Sequence, residues 1–399
     1  MRVCVVCESH PSVHMGGAEY QAHVLAEELG KRSNVSVHYL ARRTPEVPDP
    51  ALPYEIRSIG SRKGFRRHGV FFDAPQLART LRELQPDLIY EQMKQSYTAV
   101  CASYARRANI PFFLHIASEW DLNPAAVPFG FSKHTPFEVI EAVAGNWGLR
   151  RASHIIAQTA AQASKLSERF GREAAVLIRN FQPVPTVLPV RTPGPIRVLW
   201  VGNIKPVKRP ELYVELARRF AGRNDVHFDM VGRPWQHPEG DKLLQEIAKL
   251  PNFKFHGELP IERVNELMCS AHLYVNTSAH EGFPNTYVQA WAHGAVLLSL
   301  VVDPYDGMED LGIGFCTGTL ERMQVTIEDL IRNPERRQAI AQRSFEFAHE
   351  KHSLAEGARL ADIMLEAATR STANPPGRSV LPPLIPPAKS AHVASRFTD

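Results

Sequence analysis

The chain of 399 residues has few cysteines, five in all, and the count is odd. That argues against a disulfide framework and fits a reducing compartment. Cys4 and Cys7 have the CxxC spacing, but no second pair completes a four-ligand zinc site. Arg2 to Cys7 reads as a buried strand, on which residues three apart point to opposite faces. A long apolar run is also missing. The longest, Ala295 to Val302, is under half a membrane span and reads as a buried strand. The apolar stretch between Arg2 and Glu8 is too short for a signal-peptide core, so secretion is not expected. Strong net charge is absent as well. The balance of +4 does not by itself call for nucleic acid. Neither a P-loop nor a Rossmann fingerprint occurs in its proper setting: Gly312 to Gly318 imitates GxGxxG, but no strand is expected immediately before it.

What remains is an ordinary globular composition, 44% hydrophobic and 22% charged. At roughly 100–200 residues per domain, the length predicts two domains. Short apolar runs alternate with helical stretches. Strands are expected at Val3–Cys7, Val35–Leu40, Asp87–Glu91, Pro111–Ile116 and His154–Thr159, then at Arg197–Val201, His227–Val231, Leu273–Asn276 and Val296–Val302. Helices are expected between them, among them Ala18–Arg32, Pro75–Leu84, Glu211–Ala221, Asp241–Lys249 and Ile261–Ser270. Such alternation is the pattern of parallel βαβ units. A Pro-rich connection at 182–195 interrupts it, so the chain divides into residues 1–185 and 196–345. A helix is expected over 346–370. Residues 371–399 carry three Pro-Pro pairs and no helical period, and read as a disordered tail.

Residues 1–190 hold 22 Lys and Arg against 17 Asp and Glu, a balance of +5, which leaves −1 for the rest. The excess includes Arg62-Lys63-Gly64-Phe65-Arg66-Arg67-His68 and the pairs Arg106-Arg107 and Arg150-Arg151. This is either a solvated surface or a face drawn to an anionic membrane or an anionic acceptor.

Three segments could carry chemistry. Gly16-Gly17-Ala18-Glu19 follows the first strand and opens a helix, so its backbone N–H groups can approach an anion. Nearby His10 and His14 are four apart, but Pro11 makes a helix there unfavourable and a metal site is not expected. Val201-Gly202-Asn203-Ile204-Lys205-Pro206-Val207-Lys208-Arg209 follows the first strand of the second domain. It brings a close-approach glycine and three cations to a helix start. Glu281-Gly282-Phe283-Pro284-Asn285-Thr286 precedes a helix running to about His293. Asn285 or Thr286 is the expected cap, and Gly294 lies past the end.

In order and spacing these segments resemble the retaining glycosyltransferases of family four, over about residues 1–365. Phe113-Leu114-His115, Val231-Gly232 and Phe255-His256-Gly257 match further landmarks of that family. The resemblance implies the GT-B fold: two Rossmann-like α/β domains facing across a cleft, with a C-terminal helix returning to the first domain. It implies transfer of a sugar from a nucleotide diphosphate sugar to a saccharide or lipid-linked acceptor, with retained configuration, in polysaccharide or glycoconjugate synthesis. Lys208 would neutralise the diphosphate, Glu281 would bind sugar hydroxyls and His115 would sit near the transferred sugar. Gly16 and Gly17 would close over the diphosphate. Gly202, Asn203, Arg209 and the segment Gly282, Phe283, Pro284, Asn285 and Thr286 would complete the donor site, with Gln289 at the ribose. No cofactor or metal is expected, and no Asp-x-Asp occurs in the chain. A cytoplasmic enzyme is expected, with peripheral contact to the anionic inner membrane face and no nucleic acid partner.

Two positions depart from the family pattern. Gln289 stands where a second glutamate is usual, and Asn203 where an arginine is usual. Gln keeps an acceptor carbonyl but loses the charge. Lys205 or Arg209 can replace the missing cation. These departures keep two other readings open: a catalytically weak, nucleotide-sugar-binding relative acting in an assembly, and a nucleotide-sugar epimerase of the same fold.

Overall fold

The computed structural model describes residues 1–60, 69–124 and 135–373. The basic stretch 62–68 and the proline-rich segment beyond Ala373 lie outside the described residues.

The first domain is built on β1 (Arg2–Ser9), α1 (Gly17–Gly30), β2 (Ser36–Arg43), β3 (Glu55–Ser58), α2 (Gly69–Leu84), β4 (Leu88–Gln92), α3 (Tyr97–Ala108), β5 (Phe112–His115), α4 (Thr135–Leu149), β6 (His154–Ala157), α5 (Ala160–Phe170) and β7 (Val176–Leu177). Its seven strands are all parallel, in the order β3-β2-β1-β4-β5-β6-β7. The second domain contains β8 (Ile196–Val201), α6 (Pro210–Arg219), β9 (Val226–Val231), α7 (Pro238–Ile247), β10 (Phe253–Phe255), α8 (Ile261–Ser270), β11 (Leu273–Asn276), α9 (Asn285–Ala292), β12 (Val296–Ser299), β13 (Gly314–Cys316), α10 (Leu320–Arg332) and α11 (Pro334–His352). Its sheet is also parallel throughout, ordered β10-β9-β8-β11-β12-β13. The order reverses beside β1 in one sheet and beside β8 in the other, and each reversal opens a crevice at the carboxyl ends of the strands.

A parallel sheet covered on both faces needs strands that are apolar on both sides. In β1, Val3, Val5 and Cys7 join one core layer, whereas Cys4 joins the other with Val6. The two cysteines therefore lie on opposite faces, free and fully buried, and burial pushes both thiols up to about 12. In α1, Ala22, Leu25, Ala26 and Leu29 recur at helical spacing and are buried against that first layer. In the second domain, Val198 and Trp200 pack on one face of the sheet and Leu199 on the other.

The expected strands are all present. The short edge strands β3, β7, β10 and β13 were not expected. The expected C-terminal helix over 346–370 is two helices. α11 ends at His352 on the second domain, where Phe347 and Ala348 are buried. After Ser353, α12 (Leu354–Ala373) returns to the first domain and sinks Leu360, Ala361, Met364, Ala367 and Ala368 into the core beneath β1. The helix runs past residue 371, where the tail was expected to start. Among the described residues, no helix is long and apolar enough to cross a membrane.

Candidate functional site

The crevice of the second sheet is where the sequence placed its charged residues. The loop after β8 carries Lys208, and the loop after β11 carries Glu281. The Lys208 ammonium is bonded to the Glu281 carboxylate, and the Ser278 hydroxyl donates to the same oxygen at 2.6 Å. Both side chains are largely enclosed, with Lys208 21% and Glu281 14% exposed. Ser278 was not anticipated, although it stands in the same loop. Arg209 is held by the neighbouring loop. Its guanidinium donates to the carbonyls of Thr277 at 2.7 Å and Ser278 at 3.0 Å, so it clamps the two loops together. Asn203 and Lys205 are exposed beside the pair.

Three glycine landmarks come together next to this loop. Gly202 N–H donates to Val231 O at 3.0 Å and Gly232 N–H to Gly257 O at 2.8 Å. A Cβ on Gly232, whose φ is +158°, would overlap the carbonyl of Gly202. The glycines thus let neighbouring strand ends converge, which is the physical basis of the sequence pattern.

The third segment touches both domains. Phe283 and Pro284 are buried. Pro284 stands at the N-cap of α9, and no side chain caps the helix. The expected caps serve otherwise: Asn285 Nδ2 donates to Gly17 O at 3.0 Å across the domain boundary. Gln21 of α1 donates to Asn285 Oδ1 and to Phe181 O, both at 2.9 Å. Asn180 Nδ2 donates to Phe283 O at 2.6 Å. Gly282 packs on Ala117 and Ser118, just past β5. These contacts bring Gly16 and Gly17 to the start of α9 with Lys208 and Glu281 nearby. Over the start of α1, the Glu19 carboxylate folds back beside Gly16, and burial raises its pKa.

Two further expected site residues are buried. His115 is 1% exposed. Its Nδ1 lies 2.7 Å from the Tyr90 hydroxyl, and Tyr90 in turn donates to Gln92. Desolvation lowers its pKa to about 4, so the ring is neutral. It is enclosed at the end of β5, and its Nε2 has no hydrogen-bond partner among the described residues. Gln289 is 6% exposed, and its Nε2 donates to Asn265 Oδ1 of α8 at 3.1 Å. Among the described residues, no group of three or more His, Cys, Asp or Glu gathers into a metal site.

Beyond Glu281, a cavity of about 670 Å³ opens between the domains. The first domain lines it with Glu119, Trp120, Asn123, Pro124, Lys165 and Arg169. The second contributes Ala279, His280, Glu281, Val301 and Val302. Glu281 therefore borders this cavity while its carboxylate is bonded to Lys208. The cavity volume is that of a small-molecule site.

Two parallel α/β domains with a polar cleft at the strand ends define the GT-B architecture, and solved structures share it. HepE of Anabaena, solved with UDP and glucose, is 20% identical and superposes with a TM-score of 0.68, over 92% of this chain and 100% of that one. WaaG, a glycosyltransferase involved in lipopolysaccharide biosynthesis, is 15% identical with a TM-score of 0.70, over 91% and 99%. Sucrose-phosphate synthase from Thermosynechococcus elongatus is 14% identical with a TM-score of 0.73, over 93% and 100%. No curated protein sequence matches the chain significantly. The family models named Glycosyltransferase Family 4 and Glycosyl transferases group 1 match residues 15–181 and 195–333. The chain belongs to these glycosyltransferases.

Proposed function

We propose that the protein transfers a sugar, with retained anomeric configuration and without a metal ion, from a nucleotide diphosphate sugar to a saccharide or lipid-linked acceptor. One observation carries the reading: the enclosed Lys208–Glu281 pair at the crevice of the second sheet, beside the uncapped start of α9. HepE, a relative in fold, is described in complex with UDP and glucose, which supports a nucleotide-sugar donor.

The geometry suits such a donor. The Lys208 ammonium and the first N–H groups of α9 can meet the diphosphate, whose charge grows as the glycosidic bond breaks. Groups held in place before that charge develops stabilise the transition state more than the ground state. Glu281 holds Lys208 in position and accepts hydrogen bonds from sugar hydroxyls. In the retaining route, the C1–O bond to the phosphate breaks while the acceptor oxygen bonds to C1 on the same face. The acceptor proton passes to the departing phosphate oxygen.

The test is release of nucleoside diphosphate from UDP-, GDP- and ADP-sugars, with and without lipid-linked and soluble saccharides. Product configuration is read by NMR, and each assay is repeated with EDTA. Lys208→Ala is expected to cut turnover by about a hundredfold or more. Equal rates in the variant, or no release from any donor, would overturn the proposal; an inverted product or loss of activity in EDTA would overturn that part of it.

A further inference from the structure

The cavity next to Glu281 contains a side chain that the donor chemistry does not use. Trp120 is 77% exposed, whereas no other tryptophan exceeds 37%. It makes no ring stacking and no cation–π contact among the described residues. Its exposure is not the product of a loose loop. The 3-10 turn Glu119–Leu122 is fixed by Asp121, whose Oδ2 accepts from Ala117 N–H and Ser118 N–H at 2.8 and 3.0 Å. Asp121 and Leu122 are buried beneath it, and Arg169 Nη1 donates to Leu122 O at 3.1 Å. The turn thus anchors two side chains inward and holds the indole out over the cavity.

The polar groups around the indole match a polyol. Glu119 and Lys165 form an ion pair beside it, offering acceptors and donors side by side. Arg169 makes no ion pair among the described residues, so its remaining N–H groups are available. Val301, 44% exposed, gives the opposite wall an apolar face. A flat apolar surface flanked by an ion pair and a guanidinium suits a molecule with apolar C–H faces and a polar rim, which is the make-up of a pyranose ring.

We infer that Trp120 is the platform on which a pyranose ring of the acceptor saccharide stacks, with its hydroxyls directed to the Glu119–Lys165 pair. This inference rests on the glycosyltransferase reading above. Glu281 lines the cavity and is bonded to Lys208, so a ring held on Trp120 lies next to the sugar to be transferred.

The full chain labelled with 5-fluorotryptophan carries five fluorine signals, one per tryptophan, and Trp120→Phe assigns the relevant one. Maltose, cellobiose, lactose, diacetylchitobiose and a glucuronate-terminated disaccharide are titrated without donor. At least one is expected to shift the Trp120 signal saturably and leave the other four in place. In turnover with that saccharide, Trp120→Ala should raise the acceptor KM about tenfold or more, and Trp120→Tyr should recover most of the loss. The inference is overturned if no saccharide moves the signal, or if Trp120→Ala keeps the wild-type acceptor KM. A protein that cleaves nucleotide sugars while its Trp120 signal ignores every saccharide loses this inference and keeps its function. A saccharide shift without cleavage of any nucleotide sugar overturns the transferase reading and leaves Trp120 a saccharide platform that is not an acceptor site.

Discussion

At the scale of single residues, Gly282 shows how one hydrogen atom in place of a methyl sets the cleft width. A Cβ there would overlap the backbone carbonyl of Ala117 in the other domain, and backbone cannot swing aside as a side chain can. Gly282→Ala must therefore push Glu281 and its loop away from the first domain. The fold tolerates this, because each domain keeps its own core, but the alignment of donor and acceptor does not. A displacement of about 1 Å can cost on the order of a hundredfold in rate. Gly282→Ala is expected to lower turnover by at least about tenfold, with each domain's unfolding midpoint moved by a few degrees only. Steady-state kinetics and thermal scans check this, and full activity in the variant would show that this contact does not set the cleft. Such roles are only partly legible in a sequence. The Glu281 loop and Lys208 stand out because glycine, proline and charge cluster at a strand end. The enclosure of His115, the Gln289–Asn265 bond and the clamp made by Arg209 arise from chain segments tens of residues away, and no local spacing encodes them.

At the scale of elements, the turn between α11 and α12 decides whether the chain can cross back to the first domain. His352 sits at that turn, fully buried among Phe283, Trp291, Tyr305 and Phe347. Its Nδ1–H donates to Asn180 O at 2.7 Å, and its Nε2 accepts from the Tyr305 hydroxyl at 2.8 Å. Burial lowers its pKa to about 3. The folded state thus keeps the ring neutral where the unfolded chain, with an ordinary value near 6.5, takes up a proton. The stability tied to the neutral ring is whole above pH 6.5 and is lost progressively as the pH falls from 6.5 towards about 3. Between about pH 7 and pH 5, wild type should lose about 2 kcal/mol more unfolding free energy than His352→Gln, which cannot titrate. Urea titrations of both proteins at the two pH values measure the difference, and parallel losses would mean that the ring is not held neutral. The same turn explains an error in the sequence reading. Ser353 is a polar residue between two helical patterns and carries no Gly or Pro signal, so the two helices merge into one. The edge strands escape for a related reason: β7 is two residues long and β10 three, too short for a period of two to register.

At the scale of the whole molecule, the two domains are not independent beads on a linker. α12 is the last of the described elements but is a core element of the first domain, where Leu360, Met364 and three alanines close the layer under β1 and α1. Removing buried Leu and Met side chains costs about 2–5 kcal/mol each, and loss of the whole helix also uncovers Phe181 and Ile178 in the connecting segment. A domain's total stability is about 5–15 kcal/mol. Ending the chain at Ser353 should therefore unfold the first domain and leave the second largely intact, since the second keeps α10, α11 and both of its core layers. Hydrogen exchange checks this directly. The amides of β1, β4 and β5 should lose protection in the truncated chain, while those of β8, β9 and β11 keep theirs. Retained protection in the first sheet would show that α12 only covers it. The crossing has a consequence for the cleft as well. The connecting segment at Asn180 and Phe181 and the returning helix join the domains at two places, with Asn285, Gln21 and Asn180 bonded between them. Two covalent crossings and these bonds hold Gly17 against the start of α9.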